Sequence, residues 1–245
     1  MSGKWLTHSI EGVPVAAFVP EGLEPRFGLV FLNDPSHQTP RLSPAFESLF
    51  DELRAVCFCP PGDHSWWTDR IWTAFHPNLS AENFAVERLL PFIRENFQLK
   101  TPAIGLFGFG MGGQGALRLA FKHPTEFPAV AGIASTLEYH ELYGQGLSLD
   151  SLYDSKEQCR QDTAILHIHP SHYPPHIFYC VDPDDGDWYR GNDRLNEKMN
   201  ALGVPHEIDF TTRAGGHGWK YCENMAEKAI RFVVAGLLEQ SRRLL

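Results

Sequence analysis

Between Ala103 and Leu117 the chain reads AIGLFGFGMGGQGAL: an apolar run, a glycine-dense turn and the start of a helical pattern, with no polar loop between them. A strand this apolar is buried on both faces, so it needs helical layers above and below it. The same rhythm recurs along the chain. FGLVFLN (27–33), AVCFCP (55–60), AVAGIAS (129–135), HIFYCVD (176–182) and HEIDFTT (206–212) read as strands. Between them lie helical patterns at 43–53, with Ser43 as N-cap and Pro44 at the first helical position, and at 80–97, capped by Ser80 and kinked at Pro91. Others cover 111–122, 193–203, ended by Gly203, and 224–240. The expected class is α/β, with a mostly parallel central sheet and helices on both faces. KWLTHSI and PVAAFVP are expected to add an antiparallel N-terminal edge. No repeat or low-complexity linker divides the chain, so residues 1–245 are expected to form one domain. The irregular stretch 137–175 is expected to cap the C-terminal ends of the strands, where ligands bind in open α/β sheets.

Charge and cysteine usage narrow the partners. The formal net charge of −9 opposes nucleic-acid binding. No apolar run approaches the roughly 20 residues that span a bilayer, and the N-terminal stretch lacks the pattern of a signal peptide. Five cysteines, Cys57, Cys59, Cys159, Cys180 and Cys222, read as reduced, mostly buried thiols of a cytoplasmic protein. Oligomeric state is open, and a homo-oligomer is compatible with the composition.

Two chemistries use a glycine-rich strand-to-helix turn. Gly108-x-Gly110-x-x-Gly113 formally matches a dinucleotide fingerprint, but the acid it needs about 20 residues on is displaced to Glu138. The other chemistry is the nucleophile elbow, whose partners follow in the order nucleophile, acid, histidine. VDPDDGDWYRGN supplies acids after a late strand, and TTRAGGHGWKY places His217 just before the closing helix. In that register the nucleophile position is Gly110, which has no side chain to react.

At these residues the chain resembles the esterase branch of the α/β-hydrolases that includes S-formylglutathione hydrolase (esterase D). The likeness runs from about residue 27 and is strongest in GLFGFGMGGQGALRLAFKHPTEFPAVAGIAS and GGHGW. It implies an α/β-hydrolase fold and carboxylic-ester hydrolysis through nucleophile, His and Asp. It implies Asp187 as the acid, with Asp185 and Asp184 as fallbacks. It also implies an oxyanion hole from backbone N–H groups of Met111 and of the Asn33-Asp34 loop. Two departures stand out: Gly110 replaces the serine, and Leu32-Asn33-Asp34 replaces the usual L-H-G. The expected protein is a weakened or inactive esterase relative acting on a small ester or ester-like ligand. Its alternatives are a non-catalytic ligand-binding pseudoenzyme and a dinucleotide-binding protein.

Three smaller features complete the expectations. Trp66, Trp67 and Trp72 are candidates to line an apolar pocket above the turn. His167, His169, His172 and His176 crowd a proline-rich loop without the spacing that makes side chains converge, so no metal is expected. No organic cofactor is expected either.

Overall fold

The computed structural model describes residues 3–22 and 24–243. Residues 1, 2, 23, 244 and 245 of the expected domain lie outside the described residues. β1 (Lys4–Ile10) and β2 (Val13–Val19) form an antiparallel hairpin. Its two turn residues, Glu11 and Gly12, both have positive φ (51° and 83°), the conformation that matches the twist of paired strands. β2 pairs antiparallel with β4 (Ala55–Cys59), while β3 (Phe27–Leu32), β4, β5 (Ile104–Phe109), β6 (Ala129–Ile133), β7 (His176–Cys180) and β8 (Glu207–Asp209) run parallel. The sheet order is β1-β2-β4-β3-β5-β6-β7-β8.

Helices cover both faces. One core layer packs Phe46 and Phe50 of α1 (Pro44–Leu53) and Ile230, Val233 and Leu237 of α9 (Trp219–Arg243) on the sheet. The opposite layer is built from α2 (Ala81–Phe84), a π-helical turn (Ala85–Leu89), α3 (Leu90–Phe97), α4 (Met111–Lys122) and α8 (Tyr189–Leu202). The expected helix over 80–97 is therefore present, with Ser80 Oγ accepting from Asn83 N–H at 3.1 Å. The widened turn precedes Pro91, whose ring would otherwise press on the carbonyl four residues back. The stretch 137–175 holds a 3₁₀ turn and three short helices, α5 (Leu149–Leu152), α6 (Lys156–Gln161) and α7 (Ala164–His167).

Several boundaries differ from the sequence pattern for local reasons. Ser43 is extended before α1 but makes no side-chain cap. β6 ends at Ile133 because Ala134 turns to φ 46°. β8 stops at Asp209, whose carboxylate accepts from the backbone N–H groups of Thr211 and Thr212 and folds the chain into a turn. α8 starts at Tyr189, four residues before the periodic pattern, because Asp185 Oδ1 accepts from Trp188 N–H at 3.1 Å. α9 starts at Trp219, two residues after His217.

Candidate active site

The turn between β5 and α4 is compressed. Gly110 has φ 57° and ψ −119°, a left-handed conformation that side chains resist and glycine accepts. Its N–H donates to Ile133 O at 3.0 Å, and its carbonyl accepts from Gln114 and Thr136 N–H at 3.1 and 3.2 Å. Gly112 lies so close to β3 that a Cβ there would overlap the carbonyl of Leu32. This approach aims the start of α4 at the end of β3. Met111, as the first helical residue, has an N–H with no acceptor within its own helix.

His217 reaches this turn from the loop before α9. A Cβ built on Gly110 would stand 3.6 Å from His217 Nε2. His217 Nδ1 lies 2.9 Å from Asp185 Oδ2, and the imidazole stacks on Phe109 with ring centres 5.2 Å apart. An ionised carboxylate only accepts, so in that hydrogen bond Nδ1 carries the proton and Nε2 faces Gly110 as an acceptor. Asp185 is buried, and its other oxygen is held by Trp188 N–H.

The carboxylate beside His217 is thus Asp185 rather than Asp187. Asp187 is exposed and makes no side-chain hydrogen bond among the described residues. Asp184 points to solvent and pairs with Arg213. The early start of α8 selects Asp185: the polar DWYRGN run hides that start in the sequence, and the 182–185 turn leads directly into it. Asp182, fully buried, does a different job. It accepts from Asp184 N–H at 2.8 Å, Ala214 N–H at 2.6 Å and Gly216 N–H at 2.9 Å, tying the acid turn to the histidine loop. Burial pushes its carboxyl up, but the three backbone donors outweigh burial and lower it.

The loop after β3 closes the other side. Asp34 Oδ1 accepts from Ser36 N–H at 3.0 Å and from the Ser36 hydroxyl. Its Oδ2 lies 3.7 Å from the Cβ position at Gly110. Asn33 is buried, and its carbonyl accepts the Trp67 indole N–H at 3.1 Å. A cavity of about 240 Å³ opens above these groups, walled by Trp66, Met111, Leu142, Leu147 and Trp188, with Asp34, Thr136 and His217 as polar edges. Thr136 is 6% exposed and its hydroxyl has no hydrogen-bond partner among the described residues.

Of the three tryptophans, only Trp66 lines this cavity. Trp67 is fully buried, anchored by its bond to Asn33 and packed over Gly115 of α4. Trp72 packs partly buried against the core on that side of the sheet. Trp66 and Trp67 both have positive φ (56° and 55°), a conformation bulky residues hold only when their surroundings enforce it. Here Gln114 Nε2 donates to Trp66 O at 2.5 Å, and Trp66 Nε1 donates to Ser148 Oγ at 3.1 Å. Leu142, Leu147 and Ser148 fall in the stretch 137–175 expected at the strand ends, but nothing in the sequence singles out these residues or Trp188 for this role. Thr136 has a weak one, since it follows β6 at the strand end where ligands bind.

Other nucleophile and ligand candidates lie elsewhere. Ser135 is fully buried, its Oγ packed against Gly113 and Gly132 behind the turn. All five cysteines are buried free thiols. Burial pushes Cys180 up to about 12, far from the thiolate a nucleophile needs. Among the described residues no group of three His, Cys, Asp or Glu side chains is placed to hold a metal ion. His167 instead meets Asp162 at 3.0 Å, and His176 meets Gln240 at 3.0 Å. Glu138, the nearest acid for a dinucleotide ribose, pairs with Arg194. Among the described residues no helix is long and apolar enough to cross a membrane.

Comparison with known proteins bears on the family and the fold. Residues 15–229 match the model of one esterase family. Esterase MT1326 of Mycobacterium tuberculosis (strain CDC 1551 / Oshkosh) is 26% identical over 192 residues, covering 66% of this chain and 41% of that protein. The chain therefore spans less than half the length of the curated relative it matches. Among solved structures, fluorophosphonate-binding serine hydrolase F (FphF) of Staphylococcus aureus superposes with a TM-score of 0.80 at 16% identity, over 96% of this chain and 99% of the other. An S-formylglutathione hydrolase from Agrobacterium tumefaciens superposes with a TM-score of 0.78 at 16% identity, over 95% and 94%. These likenesses establish the α/β-hydrolase fold. With the family match spanning the sheet from β2 to α9, and the turn, the histidine and the acid in the order that fold requires, the chain belongs to the Putative esterase family.

Proposed function

We propose that the protein acts on small carboxylic esters at the Gly110 turn, slowly, because the position that would carry the attacking hydroxyl has none. The observation that carries this reading is the placement of His217, with Nδ1 on buried Asp185 and Nε2 3.6 Å from the Cβ position of residue 110. A serine there would set its hydroxyl, about 1.4 Å further out, within reach of the imidazole. In this reading the stretch 137–175 caps the site, and the cavity admits a small acyl or aryl group. The N–H groups of Met111 and of the Asn33-Asp34 loop face the carbonyl oxygen. The family match and the serine hydrolase fold support ester chemistry for the ancestor of this site. Hydrolysis without the serine then relies on binding, the oxyanion donors and a water deprotonated by His217. Such remnants give roughly 10³–10⁴-fold acceleration over water in serine proteases lacking a triad member.

The test is Gly110→Ser assayed with p-nitrophenyl acetate. Turnover rises at least about tenfold and a pre-steady-state burst appears, because an acyl-enzyme now forms. The gain is partial, since the new Cβ stands only 3.1 Å from Asp34 Cβ and the residue keeps φ 57°. That backbone costs about 1–3 kcal/mol of stability. A folded Gly110→Ser protein with no burst and no gain on any ester refutes the proposal and favours a ligand-binding protein. A rate of about 1–10³ s⁻¹ in the unaltered chain would also refute it, by showing that the reacting group lies elsewhere.

A further inference from the structure

The Asp34 carboxylate has two unlike oxygens. Oδ1 is consumed by Ser36, which holds it through a backbone N–H at 3.0 Å and through its hydroxyl. Oδ2 is turned toward Gly110, 3.7 Å from the Cβ position there, and makes no hydrogen bond to a protein group among the described residues. His217 Nε2 lies 3.6 Å from the same point. A hydrogen-bond acceptor and a base thus converge beside the one residue that contributes no side chain. Asp34 Cβ itself is 3.1 Å from that point, and the space opens into the cavity above the turn. The Ser36 clamp fixes the carboxylate, so the pair is preorganised.

We infer that Asp34 is a catalytic residue of this chain, holding the attacking water against His217 where a nucleophile's hydroxyl would stand. The inference rests on the ester-hydrolysis reading above. One water proton is held by Asp34 Oδ2 and the other passes to His217 Nε2 as the water oxygen bonds to the acyl carbon. The carbonyl π pair moves onto its oxygen, which the Met111 N–H receives. When the tetrahedral species collapses, the carbon–oxygen bond to the alcohol breaks and His217 returns its proton to that alkoxide. The products are one carboxylic acid and one alcohol, with no covalent intermediate. Asp34 has a second electrostatic effect: its negative charge favours the imidazolium formed in the transition state.

If the Asp34 carboxylate instead repels the developing oxyanion, removing it speeds turnover rather than slowing it. Asp34→Asn and Asp34→Gly are each measured in the Gly110 protein and in the Gly110→Ser protein, with p-nitrophenyl acetate and with thermal melting as a folding control. In the Gly110 protein both changes lower kcat at least tenfold with little change in KM. Added formate restores part of the loss in Asp34→Gly by supplying a carboxylate at the same place. In the Gly110→Ser protein Asp34→Gly raises kcat, because the serine hydroxyl has displaced the water and needs the space. A Gly110 protein whose kcat is unchanged or raised by both substitutions overturns the inference, even where Gly110→Ser gains its burst and the esterase reading survives. Turnover in the Gly110 protein that does not depend on His217, or the absence of any turnover there, also overturns it. Failure of the Gly110→Ser burst, by contrast, refutes the esterase reading itself.

Discussion

Asp182 is fully buried yet accepts three backbone N–H groups, from residues 184, 214 and 216. Two of those donors belong to the loop that presents His217, so the carboxylate positions the imidazole without touching it. An asparagine has one acceptor oxygen in place of two, and its NH₂ would point at a donor. Asp182→Asn is therefore expected to cost about 1–3 kcal/mol, the cost of buried donors left unsatisfied. Urea unfolding gives that number. Kinetics of the Gly110→Ser, Asp182→Asn double variant give the functional part, with kcat lower and KM nearly unchanged because the cavity walls are intact. A double variant as active as Gly110→Ser alone would mean the histidine loop holds itself. The sequence shows an acid cluster here and not the division of labour within it. Asp182, Asp184, Asp185 and Asp187 are chemically identical, and only the start of α8 decides which of them turns inward.

At the scale of elements, α4 fixes the site. It packs end-on against β3, with Gly112 against the Leu32 carbonyl. Its polar side chains pin the tryptophan loop, through Gln114 to Trp66 O and Arg118 to Trp67 O at 3.4 Å. Gly112→Ala drives a methyl into a backbone carbonyl at the centre of the sheet, where no side chain can rotate away. Its expected cost is about 3 kcal/mol or more, at the upper end for overpacking. Denaturant midpoints compared with Gly113→Ala and with the open-space control Gly186→Ala check it, the control leaving stability nearly unchanged. This element was the most legible part of the chain: apolar strand, glycine turn and helical spacing lie in one unbroken run, so local sequence determines local structure. The short elements between 139 and 167 were not legible. Leu142 borders the cavity, while Tyr139, Leu149, Leu152, Cys159 and Ala164 pack into the core, so these residues follow tertiary contacts and show no period of their own. Of the tryptophans, Trp66 lines the cavity as expected, while α4 draws Trp67 into the core and Trp72 packs partly buried against it.

The whole molecule is joined across these elements by one buried charge cluster. Arg118 of α4, 1% exposed at its side chain, pairs with Glu82 of α2 and with Asp162, which follows α6. Lys122 adds to Glu82 at 2.5 Å, while His167 and the Tyr153 hydroxyl add to Asp162 at 3.0 and 2.6 Å. The cluster therefore fastens the 137–175 stretch to the helix that starts at the Gly110 turn. Burial pushes the Glu82 carboxyl up, but the His123 hydrogen bond, the Arg118 charge and Lys122 outweigh burial and hold it at about 2, against 4.5 when free. A carboxylate lowered on folding stabilises the native state above its free pKa. That contribution is lost as pH falls from about 4.5 through about 2, because the unfolded chain takes up the proton first. Stability should accordingly be carried intact by this group down to about pH 5 and then fall. Glu82 contributes a slope of up to about 1.4 kcal/mol per pH unit. Glu82→Gln strands part of the Arg118 charge in a buried setting and should cost about 3–5 kcal/mol near pH 7. The same substitution removes this titration, so the gap between the two proteins must narrow as pH drops toward 2. Urea unfolding of both proteins at pH 7, 5, 4 and 3 measures the gap directly. A gap that stays constant across that range would show that Glu82 does not titrate with folding, and that the cluster holds the segment by packing rather than by charge.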